Sequence, residues 1–489
     1  MSPLLVLILL PIAAAALILS GFPARKTAVL GAALNVLVAL WVFLCLDPAK
    51  EGFQFLFSVP VIPALKIHLS LGADGLSAIM LLLSAVVTLA AVCVARTPDK
   101  GPSWFYASLL FISAGAIGAF ASIDVFFFYM FHELALIPTF LLIGIWGSGD
   151  RQTAAWKITI YLAFGSFVLL IGLIGLFLSM PEATRTFDMR GIVEQAANGT
   201  LAPHWSVYLL LVFGFGILVS LFPFHTWAPQ AYASAPAPAA MLHAGVLKKF
   251  GLYGLLRVVT PIFPPAVSEP FNNLLLVLFI GNILYVGLVT ISQRKLDLML
   301  GYSSVMHMGY IFLGILSWET LGLTGAALML VAHGLSVSAL FALNGELRER
   351  TGVLEFSELG GLAKAMPSFG LLFGFATMAA IGLPGFANFA GELMIFFGAF
   401  SAGTPIRNCF NNFQIATVIA VWGVVISAVY MLRAYRRIFM GPIADKWKGL
   451  PDIAPLPRLC IAGLLALLLV AGFVPQLLVS YIVPALNWP

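Results

Sequence analysis

Six ionisable side chains lie inside long apolar runs of this sequence. They are Glu133, Lys248, Lys249, His307, His333 and Glu392. A charge near the centre of a bilayer costs from about 3 to more than 10 kcal/mol, so such residues are rare there unless they have a function. Carboxylates, lysines and histidines in apolar surroundings can each take up and release a proton. The set therefore predicts a row of proton carriers across the middle of a membrane.

Each member of this row also has a purely structural interpretation. Glu133 could form an ion pair that packs two helices, and Lys248 could extend its ammonium group to a membrane surface. Lys249 is less suited to such an extension, and an ammonium group in apolar surroundings releases its proton more readily than one in water. For His307 and His333, a proton relay and two satisfied core histidines are equally compatible with the sequence.

Two further residues are possible members of the row. Lys157 lies near the end of its apolar run, where a relay role and an extension to the surface are equally compatible with its position. His225 lies in the segment 221–229, where Pro223 and Pro229 interrupt a helix. Glu392 follows a comparable interruption at Pro384, which would let water approach its carboxylate.

The composition sets the environment of these residues. Of the 489 residues, 61% are hydrophobic and 9% are charged, whereas a soluble domain carries roughly 25% charged residues. No basic run accompanies the net charge of +5, which argues against a nucleic-acid partner and for a lipid bilayer. The cysteines stand singly at Cys45, Cys93, Cys409 and Cys460, without the spacing of a zinc or iron–sulfur site. We expect no metal or other cofactor in this chain.

Apolar runs of about 20 residues recur along the chain and predict an all-α polytopic membrane protein with about fourteen transmembrane helices. Helices 7 and 12 are broken, at 221–229 and 382–386, and matched breaks are typical of transporters built from repeats. Two unrelated packing kinks are the alternative. We expect helices 1–3 with an external strand pair at 52–71 in residues 1–103. Helices 4–8 in 104–260 and helices 9–13 in 261–440 form the two repeats, and helix 14 lies in 441–489.

The charges of the loops predict the orientation in the membrane. Arg25 and Lys26, Arg151 and Lys157, Arg294 and Lys295, and six basic residues between 433 and 458 all fall in joins on one side. The positive-inside rule assigns that side to the cytoplasm. An even number of helices then places both termini on the external side.

Several motifs resemble those of the antiporter-like subunits of respiratory complex I, the NADH–quinone oxidoreductase, and specifically the M type. The segments that carry the resemblance are 72–77, the run around Glu133, 223–227, 254–257, 302–309, 332–336, and 382–385 with 391–392. The resemblance covers nearly the whole chain. It implies two inverted five-helix repeats around a polar axis, in which Glu133, Lys249, His307, His333 and Glu392 occupy the proton-carrying positions. Glutamate rather than lysine at 392 is typical of the M type.

The resemblance also implies a setting. The chain would be a multi-pass subunit of a bacterial inner membrane complex, would contact L-like, N-like and smaller membrane subunits, and would translocate protons while quinone is reduced elsewhere. It would hold no redox centre itself. The alternatives are a subunit of a multi-subunit Na⁺/H⁺ antiporter or of a membrane-bound hydrogenase, and a scaffold paralogue that no longer pumps.

Two departures from the family pattern bear on Glu133. The helix-7 lysine that pairs with this acid in the family should stand at Leu218, and a proline should stand at Ser220. Lys248 is an additional lysine where relatives usually have an apolar residue. We predict that Glu133 faces the interior, where it is either protonated at rest or paired with another cation. Lys248 is the candidate cation and would then replace the missing lysine. The join at Lys295-Leu296-Asp297 also differs, because relatives usually have the acid first.

Overall fold

The chain folds into the expected bundle of membrane-spanning helices. A computed structural model describes residues 2–201, 204–403 and 409–486. Parts of the predicted segments, namely residues 1, 202–203, 404–408 and 487–489, lie outside the described residues. Ten helices in the described part are long and apolar enough to cross a membrane. The first helix, the two broken helices and the helix that carries Lys249 account for the other four of the fourteen predicted spans.

The N-terminal segment consists of three helices and one β-hairpin. The strands β1 and β2 pair antiparallel, so the strand pair predicted at 52–71 is present. Asp74 begins the third helix by accepting a hydrogen bond from the Ser77 amide at 3.0 Å. The elements are α1 (Pro3–Leu19), α2 (Ala24–Cys45), β1 (Gln54–Ile62), β2 (Ile67–Ala73) and α3 (Gly75–Val94).

The next group of helices corresponds to the predicted first repeat. Its elements are α4 (Pro102–Ala121), α5 (Val125–Trp146), α6 (Arg151–Leu178), α7 (Met189–Ala197), α8 (Trp205–Val219), α9 (Trp227–Ser234), α10 (Ala237–Leu242), α11 (Lys249–Gly254) and α12 (Thr260–Ile262). The predicted helix 8 is not regular, because π-helical turns at His243–Leu247 and Leu255–Val259 separate α10, α11 and α12. Such turns occur frequently at functional sites.

The second group begins at residue 265. Its elements are α13 (Pro265–Ser268), α14 (Asn272–Ile280), α15 (Val286–Ser292), α16 (Leu296–Leu316), α17 (Thr320–Thr351), α18 (Pro367–Ile381), α19 (Ala387–Ser401), α20 (Asn412–Phe439), α21 (Pro455–Phe473) and α22 (Gln476–Leu486). A further π-helical turn, Gly281–Tyr285, joins α14 to α15. The predicted helix 14 is divided into α21 and α22. The most apolar stretch of α17 is completely enclosed by its neighbours.

The two breaks have the same local geometry. The residue that caps α8 is Ser220, with φ +72°, and the residue that caps α18 is Gly382, with φ +78°. The chain therefore leaves both helices through the left-handed region. The side chain of Asn282, which is fully buried, satisfies the first break. Its amide nitrogen donates to the Ser220 carbonyl at 3.1 Å, and its oxygen accepts from the Phe222 amide at 2.7 Å.

Two opposite faces of the bundle can be defined by their contacts. On the first, Arg348 binds Ser148 and Asp297, Arg96 pairs with Glu349, and Lys295 pairs with Glu355. We call this the basic face. On the second, the Ile123 amide donates to the Ser70 carbonyl of the hairpin, and the Met189 amide donates to the Ile123 carbonyl. We call this the hairpin face.

Candidate proton-transfer site

A lysine of the first repeat and a histidine of the second meet in the centre of the bundle. The Lys249 ammonium group lies 2.8 Å from Nδ1 of His333 and donates to the Ala244 carbonyl at 3.0 Å. Both side chains are almost completely buried. Because an ammonium group only donates, His333 accepts through a neutral Nδ1. The pair is therefore arranged for a proton to pass from nitrogen to nitrogen.

His307 continues the row from His333 towards the second break. The two imidazole rings are 5.6 Å apart between centroids. Nδ1 of His307 lies 2.8 Å from the Ser303 carbonyl, and Nε2 lies 3.0 Å from the carbonyl of Ala380, the next-to-last residue of α18. A neutral imidazole has one N–H group, so only the doubly protonated ring donates to both carbonyls. The break thus supplies an acceptor that favours a proton on His307.

Glu392 lies directly beyond this break. Its side chain is buried, and its carboxylate packs so closely against Gly382 that a Cβ atom there would collide with it. Tyr310 is within electrostatic range of Glu392 and in ring contact with His307 at 5.8 Å. The hydroxyl group of Tyr310 is buried and has no hydrogen-bond partner among the described residues. Lys249, His333, His307 and Glu392 thus follow one another through the bundle interior.

Lys248 points in a different direction from Lys249. Its ammonium group lies 3.4 Å from both the carbonyl and the hydroxyl oxygen of Ser304 on α16, and 5.7 Å from the centre of the Tyr232 ring. It is buried, so it does not extend to a membrane surface. Within the described ranges it forms no ion pair, and the predicted pair with Glu133 is therefore wrong. The two adjacent lysines contact different helices, α16 through Ser304 and α17 through His333, since neighbouring positions on a helix point about 100° apart.

Glu133 lies near the surface of the helix bundle rather than in its interior. Its side chain is 30% exposed, and its partner is the neighbouring His132, whose Nδ1 lies 3.4 Å from the carboxylate. His132 is buried instead and stacks on Phe250 at 4.1 Å. The prediction that Glu133 faces the interior was wrong because, on α5, the apolar run allows either of two adjacent residues to point inwards.

The two possible members of the row do not lie in it. Lys157 is half-buried and donates to the side-chain oxygen of Gln230 at 3.0 Å, near the basic face. His225 is buried within the first break, where its ring stacks on Phe222. Its Nδ1 has no partner in the part of the chain that the structure describes.

Sequence reasoning missed five polar residues that the structure places beside the row: His132, Tyr232, His243, Asn282 and Tyr310. The signal for His132 and His243 was available, since each is an ionisable residue inside an apolar run. Nothing in the sequence alone distinguished Tyr232, Tyr310 or Asn282 from ordinary polar residues of a helix.

Two of the motifs serve structure rather than proton transfer. Asp74 and Arg257 form a buried ion pair, and Arg257 also donates to the Ala485 carbonyl at 2.9 Å. This contact ties α3, the π turn at 255–259 and α22 together. Gly75 is required here because a Cβ atom at this position would overlap the Tyr481 backbone. Among the described residues no cluster of three or more His, Cys, Asp or Glu side chains could hold a metal ion.

Comparisons of sequence show which family the chain resembles. The profile of the family described as "NADH:quinone oxidoreductase/Mrp antiporter, TM" matches residues 122–420. The chain is 37% identical to NAD(P)H-quinone oxidoreductase chain 4 3 of Picosynechococcus sp., over 80% of this chain and 70% of that protein. It is 32% identical to NADH-quinone oxidoreductase subunit M of Rickettsia felis, over 86% and 82% of the two chains.

Solved structures show the same fold. A chain of respiratory complex I from Thermus thermophilus with bound NADH superposes with a TM-score of 0.88 and 29% identity, covering 99% of this chain and 98% of that one. A chain of the Mrp complex from Dietzia sp. has a TM-score of 0.84 at 20% identity, covering 99% and 96%. The second comparison is a likeness of fold alone.

Proposed function

This chain belongs to the NADH:quinone oxidoreductase/Mrp antiporter transmembrane family, and we propose that it is the M-type proton-translocating subunit of an NADH–quinone oxidoreductase. The observation that carries the proposal is the buried sequence of Lys249, His333, His307 and Glu392. A structural core gains nothing from four titratable groups in one row, because each costs free energy to bury. A path for protons does require them.

The proposed transfer moves one proton along the row. The N–H bond of the Lys249 ammonium group breaks and a bond to Nδ1 of His333 forms, which leaves a neutral amine and an imidazolium group. The Nε2–H bond of His333 then breaks as an N–H bond forms on His307, where the carbonyls of Ser303 and Ala380 stabilise the doubly protonated ring. An N–H bond of His307 breaks in turn as the Glu392 carboxylate binds the proton, which returns His307 to its neutral form. Lys249 is then free to be protonated again.

The setting of this function is also a proposal. Quinone reduction takes place in other subunits, and this chain contributes proton carriers without a cofactor of its own. Its exposed apolar faces, for example on α6 and α20, contact lipid or the L-like, N-like and smaller subunits. We place it in the bacterial inner membrane with the basic face towards the cytoplasm and both termini outside, in accord with the positive-inside rule.

Replacement of Glu392 tests the proposal. The whole complex carrying Glu392→Gln is purified, reconstituted into vesicles and supplied with NADH and a quinone, and proton uptake is measured with a pH-sensitive dye. We expect proton pumping per NADH oxidised to fall by at least about tenfold, since a positioned acid or base typically contributes about 10²–10⁴-fold. Normal pumping by the assembled variant would contradict the proposal. Pumping that requires Na⁺ in the vesicles would favour cation–proton antiport instead.

A further inference from the structure

A cavity opens on the basic face and reaches a buried tyrosine. The cavity has a volume of about 250 Å³, and charged residues line it, among them Arg96, Glu346, Arg348 and Glu349. Tyr232 on α9 forms part of its inner wall. The cavity therefore brings solvent from this side of the membrane to the side chain of Tyr232.

Tyr232 leads from the cavity to a histidine that the proposed relay does not use. Its hydroxyl oxygen lies 3.2 Å from Nδ1 of His243, the first residue of the π turn before Lys249. His243 is buried, and its Nε2 has no hydrogen-bond partner among the described residues. A buried polar atom without a partner costs about 1–3 kcal/mol, so its retention calls for a functional explanation.

His243 lies between two parts of the site that are otherwise separate. It is within electrostatic range of His132, Lys248 and Lys249. His132 contacts Glu133 at 3.4 Å, and Lys249 contacts His333 at 2.8 Å. The surrounding side chains are mainly apolar, including Trp227 at 5.7 Å between ring centroids. His243 thus contacts the cavity-lining Tyr232 and lies near both parts of the site.

We propose that Tyr232 and His243 form a proton-uptake path from the basic-face cavity, which reaches the buried row between His132 and Lys249. This inference rests on the proposed function and assigns the supply of protons to that site. When Nδ1 of His243 accepts from the tyrosine, a neutral ring carries its hydrogen on Nε2. The tyrosine O–H bond then breaks as a bond to Nδ1 forms, and a proton from the cavity restores the hydroxyl group. The Nε2–H bond breaks as the neutral Lys249 amine, left by transfer to His333, takes up that proton.

The test uses two variants of the whole reconstituted complex. Tyr232→Phe keeps the ring and removes the hydroxyl group, and His243→Gln keeps a hydrogen-bonding side chain that cannot relay a proton. Each should lower proton pumping by at least about tenfold. Tyr208→Phe is the matched control, since Tyr208 is equally buried but packs against Phe263 near the hairpin face. It should pump normally.

Two further measurements separate uptake from structural damage. The double variant Tyr232→Phe/His243→Gln should pump no more slowly than the more impaired of the two single variants, because both residues act on one path. The loss in each single variant should also shrink when the medium on the basic side is acidified, since more protons are then available. A loss that is independent of pH, or additive losses in the double variant, would overturn the inference.

The failure of this inference can be told apart from failure of the proposed function. If Glu392→Gln abolishes pumping while Tyr232→Phe and His243→Gln pump normally, only the uptake path is wrong. If Glu392→Gln pumps normally, the proposed function itself is wrong. Should His243→Gln not assemble, Tyr232→Phe decides alone, because it preserves the packing of the aromatic ring.

Discussion

Lys249 and His333 are 84 residues apart in the chain, yet the lysine nitrogen lies 2.8 Å from Nδ1 of the histidine. Lys249 lies on α11 and His333 on α17. The contact therefore joins the predicted first and second repeats in the interior of the bundle. Since neither side chain needs to move for a proton to cross this distance, the pair is a natural point at which to test the relay.

Lys249→Arg should abolish most proton pumping even though it keeps the positive charge. A guanidinium group holds its proton at every accessible pH, so it cannot pass one to His333. We expect at least about a tenfold loss of pumping in the reconstituted complex, with subunit assembly intact on native gels. An arginine variant that pumps at the normal rate would remove Lys249 from the path.

Gly382→Ala should impair pumping through a direct effect on Glu392. The new Cβ atom would collide with the Glu392 carboxylate, and φ of +78° is strained for any residue with a side chain. Gly463→Ala is the control, because Gly463 lies in α21 with open space around it. Pumping and thermal stability should fall in the first variant and stay unchanged in the second. Equal effects in both would exclude a specific role of this close contact.

Asn282→Leu should destabilise the first helix break. The amide of Asn282 binds the backbone of Ser220, Phe222 and Val305, and each buried group left unpaired costs about 1–3 kcal/mol. The melting temperature of the purified complex subunit should fall. Asn35→Leu provides a comparison, because Asn35 is equally buried but neither atom of its amide has a partner in the described structure. A larger loss at Asn35 would disprove the assignment.

Asp74→Asn should destabilise the protein rather than block proton transfer directly. Breaking a buried ion pair costs about 3–5 kcal/mol, because the remaining Arg257 charge stays buried. Thermal unfolding in detergent should show the loss. Replacement of both residues, Asp74→Leu with Arg257→Met, should be less damaging than Asp74→Asn alone. If the double variant lost as much stability as the two single replacements lose when added together, the two residues would not be coupled.

Asp124 should make stability depend on pH in the acidic range. Burial raises the pKa of this carboxyl group, outside the spanning helices, to about 6 from 3.8, against the opposing effect of amide hydrogen bonds from Phe127, His68 and Phe126. The folded state therefore binds the proton more tightly than the unfolded chain. This contribution to the free energy of unfolding is complete below about pH 4 and is lost as the pH rises through about 6. Asp124→Asn should remove this part of the pH dependence in thermal unfolding, and a stability difference from the wild type that is the same at every pH would contradict the assignment.

The sequence alone determined the environment, the helices, both breaks and most members of the row. These features follow from local chemistry: the length of apolar runs, the missing amide hydrogen of proline, and the high cost of a charge within a membrane. They can be recognised at single positions such as Glu392 or Lys249 without knowledge of any neighbour. The hairpin and the family also followed from short segments.

Only the tertiary structure decided which of these residues meet. Lys248 contacts Ser304 rather than Glu133, and His132 rather than Glu133 points inwards. The physical reason lies partly in the π turn at 243–247, which adds a residue to one turn and so rotates the following face by roughly 100°. The direction of Lys248 was therefore predicted wrongly, whereas Lys249 lies in the predicted row beside His333. The directions of the other side chains depend on how α5, α9 and α10 pack together, and this packing cannot be predicted from a local sequence pattern.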